Sequence, residues 1–150
     1  MAHTYTHLLY HAIWSTKDRR PLIDPDLRAR LFPYLGGIAA ELGGKTLEIG
    51  GMPDHVHLLL CLPASVAIAD ALRVIKTNSS RWVHETWPER RTFAWQTGYG
   101  AFTVSRSNRE MVAKYIAEQE EHHRRLSFQE EFMAFLKRHG VEYDERYLWE

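Results

Sequence analysis

Cysteine is almost missing from this chain: Cys61 is the only one in 150 residues. A lone thiol cannot close an intrachain disulfide, so the expected compartment is reducing and cytosolic. Long apolar runs are missing too. No window reaches the ~18 uninterrupted apolar residues of a membrane span. The N-terminal stretch MAHTYTHLLYHAIWSTKDRR has neither a basic start nor a small-residue cleavage site, so it does not read as a secretory signal. Internal repeats and low-complexity stretches are lacking. So is an excess of either charge: 19 basic and 19 acidic residues give a formal net charge of zero. That balance weighs against strong non-specific nucleic-acid binding, which usually needs a basic surplus.

What is present is an ordinary globular composition, 45% hydrophobic and 25% charged. The length is enough for one core, so a single domain over residues 1–150 is expected. The charges are unevenly placed. Met1 to Lys114 carries 14 basic and 10 acidic residues, a surplus of four; Tyr115 to Glu150 carries 5 and 9, a deficit of four. A basic body with an acidic tail suits a modest nucleic-acid groove or pairing between subunits, and equally a solvated surface of mixed sign.

Thr4 to Ser15 alternates loosely and reads as a first strand, followed by the basic loop Lys17-Asp18-Arg19-Arg20-Pro21. Asp24 can cap a helix with Pro25 at its first position; Leu27, Leu31, Leu35 and Ile38 keep helical spacing until Gly43-Gly44 stops it. Lys45 to Gly51 is a second strand, Met52-Pro53-Asp54 a turn, and His55 to Leu62 a leucine-rich central strand. Ser65 can cap a second helix reaching about Trp87, and Phe93 to Trp95 with Tyr99 to Val104 reads as a broken hairpin. Ser107 and Glu110 form a capping box for a helix holding both Tyr115 and Gln119. Ser127 and Glu130 form a second box, for a helix ended by Gly140. Helices segregated on a small antiparallel sheet make the class α+β, and the first six elements match a ferredoxin-like, RRM-like order.

Alternation along a strand puts His55 and His57 on one face and Val56 on the other. Two imidazoles about 6–7 Å apart can converge on a metal, although two edge histidines after a turn would look the same. Tyr115 and Gln119, four apart, share a helix face. The amide oxygen of Gln119 is a hard donor suited to Mg²⁺ or Mn²⁺, but a half-buried tyrosine beside a surface glutamine fits the same letters. Asp54 reads as a turn residue in preference to a partner that orients an imidazole. His122 and His123 read as a solvated helix end in preference to a proton acceptor. Cys61 falls on the histidine face but too far along the strand for the same metal. Trp82, Trp87 and Trp95 could stack bases, yet each reads better as core.

The ordered set MPDHVHLLL then VAKYIAEQ, together with HAIWSTKDRRPLI, IKTNSSRWV and FAWQTGYGAFTVS, resembles the single-tyrosine HUH transposases of the insertion-sequence-200 type. HUH stands for His-hydrophobic-His, and the resemblance covers nearly the whole length. It implies a ferredoxin-like sheet with the HUH motif on a central strand and a C-terminal tyrosine-bearing helix. It implies a catalytic core over about residues 1–124 and a C-terminal helix and tail over about 125–150. It implies a metal-dependent strand transferase that cuts and rejoins single-stranded DNA with hairpin ends through a covalent 5′-phosphotyrosine. Tyr115 is then the nucleophile, and His55, His57 and Gln119 hold Mg²⁺ or Mn²⁺. The partner is a second copy, whose tyrosine helix can complete the site in trans. Lys17, Arg19 and Arg20 could grip phosphates, and Arg73, Lys76 and Arg81 a hairpin stem. Three other readings stand beside it. A domesticated module would bind hairpins without cutting, a relaxase-like nickase would share the histidine pair, and a metal-dependent hydrolase would use water and form no protein–DNA adduct.

Overall fold

The computed structural model of the chain describes residues 3–150. Four strands, β1 (Leu9–Ser15), β2 (Lys45–Met52), β3 (His55–Cys61) and β4 (Gly100–Val104), form one sheet in the order β2-β3-β1-β4. Every pairing is antiparallel. Two long helices make the crossovers: α1 (Pro25–Glu41) joins β1 to β2, and α2 (Ile68–Thr86) joins β3 to β4. This is the expected α+β, ferredoxin-like arrangement, with the histidine strand at the centre.

The two faces of the sheet are covered differently. Ala12 and Trp14 of β1 and Val56, Leu58 and Leu60 of β3 point to one side. There they pack with Leu27, Leu31 and Leu35 of α1 and Leu72 and Ile75 of α2. On the other side, Ile13 of β1 and Phe102 of β4 meet Phe128, Phe132, Phe135 and Leu136 of a C-terminal helix, α5 (Phe128–Arg138). The first core buries large aliphatic area and is the main hydrophobic term. The second presses a helix over the face that carries the histidines.

Local signals explain most element boundaries. Asp24 caps α1 by accepting from the Leu27 amide, with Pro25 in the first turn. The Ser127–Glu130 capping box forms at α5, and Gly140, with φ of 64°, follows the helix end. Other expectations need correction. The first strand begins at Leu9, later than Thr4. Ser65 does not cap α2, which starts at Ile68 without a side-chain cap. Of the expected hairpin only Gly100–Val104 is a strand, while Trp95 makes an isolated bridge with Thr16. The Ser107–Glu110 box does not form, because Arg106–Asn108 is a 3-10 turn and the Ser107 hydroxyl meets Ser105.

The tyrosine helix also differs. α3 (Arg109–Ala117) ends before Gln119, and Glu118, with φ of −102° and ψ of 29°, bends the chain into a single further turn, α4 (Gln119–His122). α3 lies directly on β2. A Cβ built on Gly50 would sit 2.0 Å from the Ile116 carbonyl oxygen, so only glycine permits that approach. Among the described residues no helix is long and apolar enough to cross a membrane.

Candidate metal and nucleophile site

β3 projects His55 and His57 from the same face, and both are fully buried. Their ring centroids are 5.1 Å apart. Each has its Nδ1 engaged by a neighbour, which aims Nε2 inward. His55 Nδ1 donates to Asp54 Oδ1 at 2.7 Å. His57 Nδ1 meets His11 Nε2 at 2.8 Å. His11 stands on β1 with the parity of Ile13, which places it beside His57 across the strand pair.

α4 and α5 close over this pair. Gln119 is buried, and its Oε1 lies 3.1 Å from His55 Nε2. Its amide nitrogen faces Glu131 Oε2 at 3.3 Å and the Tyr115 carbonyl at 3.4 Å, two acceptors, which fixes the amide with its oxygen toward the imidazoles. Glu131, only 1% exposed, comes from α5. Its Oε1 is 2.9 Å from His57 Nε2 and 3.5 Å from His55 Nε2. His123 donates through Nδ1 to the Leu126 carbonyl at 2.6 Å and turns Nε2 to Gln119 Oε1 at 3.0 Å and Glu131 Oε1 at 3.2 Å. The Tyr115 hydroxyl donates to Glu131 Oε2.

These contacts carry a chemical demand. An imidazole whose Nδ1 hydrogen is given to Asp54 or to Leu126 presents a bare lone pair at Nε2 when neutral. Two such lone pairs, an amide oxygen and a carboxylate oxygen therefore face one another with no donor between them. Acceptors crowded in a buried site repel unless a cation sits among them. A proton on an imidazole supplies one; a metal ion supplies a better one. Nε2 or carboxylate atoms of His55, His57, His123 and Glu131 all lie within 4.8 Å of one another. Three imidazoles and a carboxylate, with outer partners fixing the tautomers, are a donor set that suits a divalent metal.

The titration shifts follow from the same packing. Burial pulls His57 down to about 4, although Glu131 opposes this. Burial and the neighbouring His57 hold His11 well below the usual histidine range. Burial would lower His123 as well, but its contact with Glu131 outweighs that and raises it. Burial would raise Glu131, yet its close contacts with His123 and His57 outweigh that and keep it ionised. Burial and then the bond to anionic Glu131 push Tyr115 above the normal phenol range.

The structure thus gathers the four residues named from the sequence, Tyr115, His55, His57 and Gln119, in one place within a single chain. It adds Glu131, His123 and His11, which the sequence reading passed over or set aside. Asp54, read as a turn residue, does orient an imidazole. The nucleic-acid candidates lie elsewhere. Lys17 and Arg19 form a 3-10 turn with Arg20 at its end, and the Arg19 guanidinium lies 5.5 Å over Trp149. Arg73 and Lys76 line a cleft of about 390 Å³ with Thr97 and Tyr99. Lys76 is not free there, because Nζ donates to the carbonyls of Thr97 and Gly98 at 3.0 and 2.7 Å. Arg81 bonds Asn78. Trp95 is core, donating to Ser79 Oγ, and Trp82 stacks on Tyr34 at 4.0 Å.

Comparison with known proteins finds relatives among transposases. The ISDra2 transposase TnpA of Deinococcus radiodurans is 33% identical over 117 residues, covering 75% of this chain and 84% of that one. The transposase for insertion sequence element IS200 of Salmonella typhimurium is 26% identical over 124 residues, 79% of this chain and 81% of that one. A crystal structure of a candidate transposase from Deinococcus radiodurans R1 superposes with a TM-score of 0.63 at 30% identity, covering 77% of this chain and 94% of that one. A REP-associated tyrosine transposase, solved bound to a REP hairpin, shares the fold with a TM-score of 0.56 at 14% identity over 77% of this chain and 70% of that one. Residues 4–119 match the family described as "Transposase IS200 like", and the chain belongs to that family.

Proposed function

We propose that this protein cuts and rejoins single-stranded DNA through a covalent 5′-phosphotyrosine on Tyr115, using Mg²⁺ or Mn²⁺ held by His55, His57 and Gln119. The observation that carries this reading is the bond from the Tyr115 hydroxyl to Glu131, the same carboxylate that touches His57 and His123. Nucleophile and ligand set are therefore one constellation. His123 and Glu131 extend the ligand set from outside the residues matched to the family.

The chain's own residues supply orientation and proton control. Asp54 and His11 fix the two imidazoles so that both Nε2 atoms face the centre. Burial keeps His57 neutral at physiological pH, the state in which it can act as a ligand. The Gln119 amide is neutral, so its oxygen adds a ligand without cancelling positive charge. A divalent ion bound here would neutralise a non-bridging phosphate oxygen and ease loss of the phenolic proton.

Tyr115 then attacks phosphorus in line. A bond forms between its oxygen and phosphorus, the bond from phosphorus to the 3′ oxygen breaks, and the departing oxygen takes up a proton as a 3′-OH. Glu131 Oε2, already holding the phenolic hydrogen, is the group placed to receive it. Attack by another 3′-OH reverses the step and joins new ends, and no nucleotide cofactor is consumed. The reading extends to hairpin-ended single-stranded DNA as substrate, a partner of the kind seen bound to the REP-associated relative.

The test is incubation with labelled single-stranded DNA from the flanks of the gene plus Mn²⁺. A denaturation-resistant protein–DNA adduct should form, and should vanish in Tyr115→Phe and in EDTA. DNA cleavage that persists in Tyr115→Phe with no adduct would point to a water nucleophile and end this reading.

A further inference from the structure

A cleft of about 610 Å³ opens beside the nucleophile, between α4 and α5. Tyr115, His122 and the buried Glu131 lie along it, and the exposed side chains of Arg124, Arg125 and Arg138 stand around it. We propose that this cleft binds backbone phosphates of single-stranded DNA next to the cut, with Arg124, Arg125 and Arg138 as the phosphate contacts. The proposal rests on the reading of Tyr115 as nucleophile and names the subsite that would present the strand to it.

Charge placement is the first argument. From Tyr115 onward the chain is acidic, with nine carboxylate residues against five basic ones. Three of those five basic residues nevertheless line this one cleft. Arg125 and Arg138 have no carboxylate within ion-pair distance among the described residues, and Arg138 instead lies 5.6 Å over the Phe135 ring. Arg124 touches Glu121 at 3.2 Å, an exposed pair that water and salt already weaken. Glu131, the other carboxylate on the lining, is taken up by Tyr115, His57 and His123. The cleft thus offers a net positive wall leading to a phenol.

The second argument is an orphan atom. The His122 ring stacks on Tyr115 with centroids 4.2 Å apart and planes 22° apart. Its Nε2 is buried and has no hydrogen-bond partner among the described residues. A buried imidazole nitrogen without a partner carries a desolvation penalty, so it calls for an explanation. A phosphate oxygen arriving next to the Tyr115 hydroxyl is the acceptor an N–H at that position lacks. The cleft is also within the size range of small-ligand sites, about 300–1,000 Å³. All of these residues except Tyr115 lie beyond residues 4–119, so the segment that follows the matched part would guide the strand as well as complete the site through Glu131.

The experiment is anisotropy with a labelled oligo-thymidine of about 12 nucleotides, a length within known single-strand site sizes. It uses full-length protein in a Tyr115→Phe background, so no covalent capture intervenes, over a range of salt. For single strands the slope of log affinity against log salt is about 0.7 per phosphate neutralised. Combined Arg124→Ala, Arg125→Ala and Arg138→Ala should reduce the slope by about two and weaken binding at least about ten-fold at low salt. Lysine at the same three positions should keep the slope, and this charge-retaining set together with Arg138→Ala alone decides the matter should the triple alanine variant lose its fold by circular dichroism. An unchanged slope in folded variants overturns the subsite even where Tyr115-intact protein still forms its adduct. Absence of the adduct in wild-type protein removes the nucleophile reading, and with it the subsite as a part of that reaction.

Discussion

At the scale of single residues, the site is governed by a shortage of donors. Parity along β3 made His55 and His57 legible as a pair, and the four-residue spacing made Tyr115 and Gln119 legible as neighbours. His11 follows the same parity rule on β1, but one histidine in a strand gives no reason to look. Glu131 left a readable trace that went unused. Positions 128, 131, 132 and 135 form the inward stripe of α5, and a carboxylate interrupts three phenylalanines there. A buried acid on such a stripe requires partners. His123 reads from the sequence as a solvated helix end, because the bend at Glu118 that delivers it to the site is not encoded by any glycine or proline. Glu131→Gln tests the acceptor logic, since it keeps the shape, removes the charge and adds a donor. Mn²⁺ affinity, read from the free-ion electron paramagnetic resonance signal, should fall about 10–100-fold. Unchanged affinity would remove Glu131 from the ligand set. His57 supplies a pH signature. Its folded value is lowered to about 4 from an unfolded 6.5, so the unfolded chain binds the proton first. The stability it contributes is present above pH 6.5 and is lost as pH falls toward 4, at about 1.4 kcal/mol per unit. In metal-free protein, NMR titration should show this imidazole still neutral at pH 5, and a midpoint near 6.5 would refute the assignment.

At the scale of elements, placement of Tyr115, the proposed nucleophile, depends on close contact between α3 and β2. Gly50 pairs with His57 across the sheet, so the strand residue that admits Ile116 is the neighbour of a proposed ligand histidine. Any side chain at Gly50 must push α3, and Tyr115 with it, away from the histidine face. Gly50→Ala should cost about 1–3 kcal/mol by overpacking. Adduct formation should drop further, on the order of 100-fold for a shift near 1 Å. Chemical denaturation and adduct yield measured side by side separate the two effects; equal, small losses in both would show that α3 is not positioned through this contact. The glycine was visible in the sequence inside an apparent strand, but which backbone approached it was not. Capping boxes show the same limit. Two four-letter signatures of equal quality were present, and only Ser127–Glu130 forms. The other is overridden where Ser105 and the 3-10 turn claim Ser107. A local hydrogen bond is worth about 1 kcal/mol, which tertiary packing readily outweighs.

At the scale of the whole molecule, the sheet divides its labour by face. One face carries the aliphatic core under α1 and α2. The opposite face carries the histidines, with α3, α4 and α5 assembled over them. The order of elements was legible because hydrophobic period and turn residues agreed along the first 104 residues. The closing of α5 over the site was not, because an amphipathic helix declares that it has an apolar face and not what that face covers. This arrangement bears on whether a second copy is needed. Tyr115, Gln119, His123 and Glu131 reach His55 and His57 within one chain. Exchange of the tyrosine helix between copies would require α3 to leave β2 and the Tyr115 hydroxyl to leave Glu131, and it would separate Gln119 from His55. Those contacts come from three successive helices, so they would have to be broken together. The expected outcome is therefore catalysis in cis. Mixing inactive Tyr115→Phe with inactive His57→Ala protein should yield no more adduct than either alone. In a trans arrangement, mixed dimers would pair one intact histidine set with one intact tyrosine and recover up to about a quarter of wild-type sites if subunits exchange at random. Covalent labelling of the His57→Ala chain, distinguished by an affinity tag of different mass, would establish exchange and overturn the cis assignment.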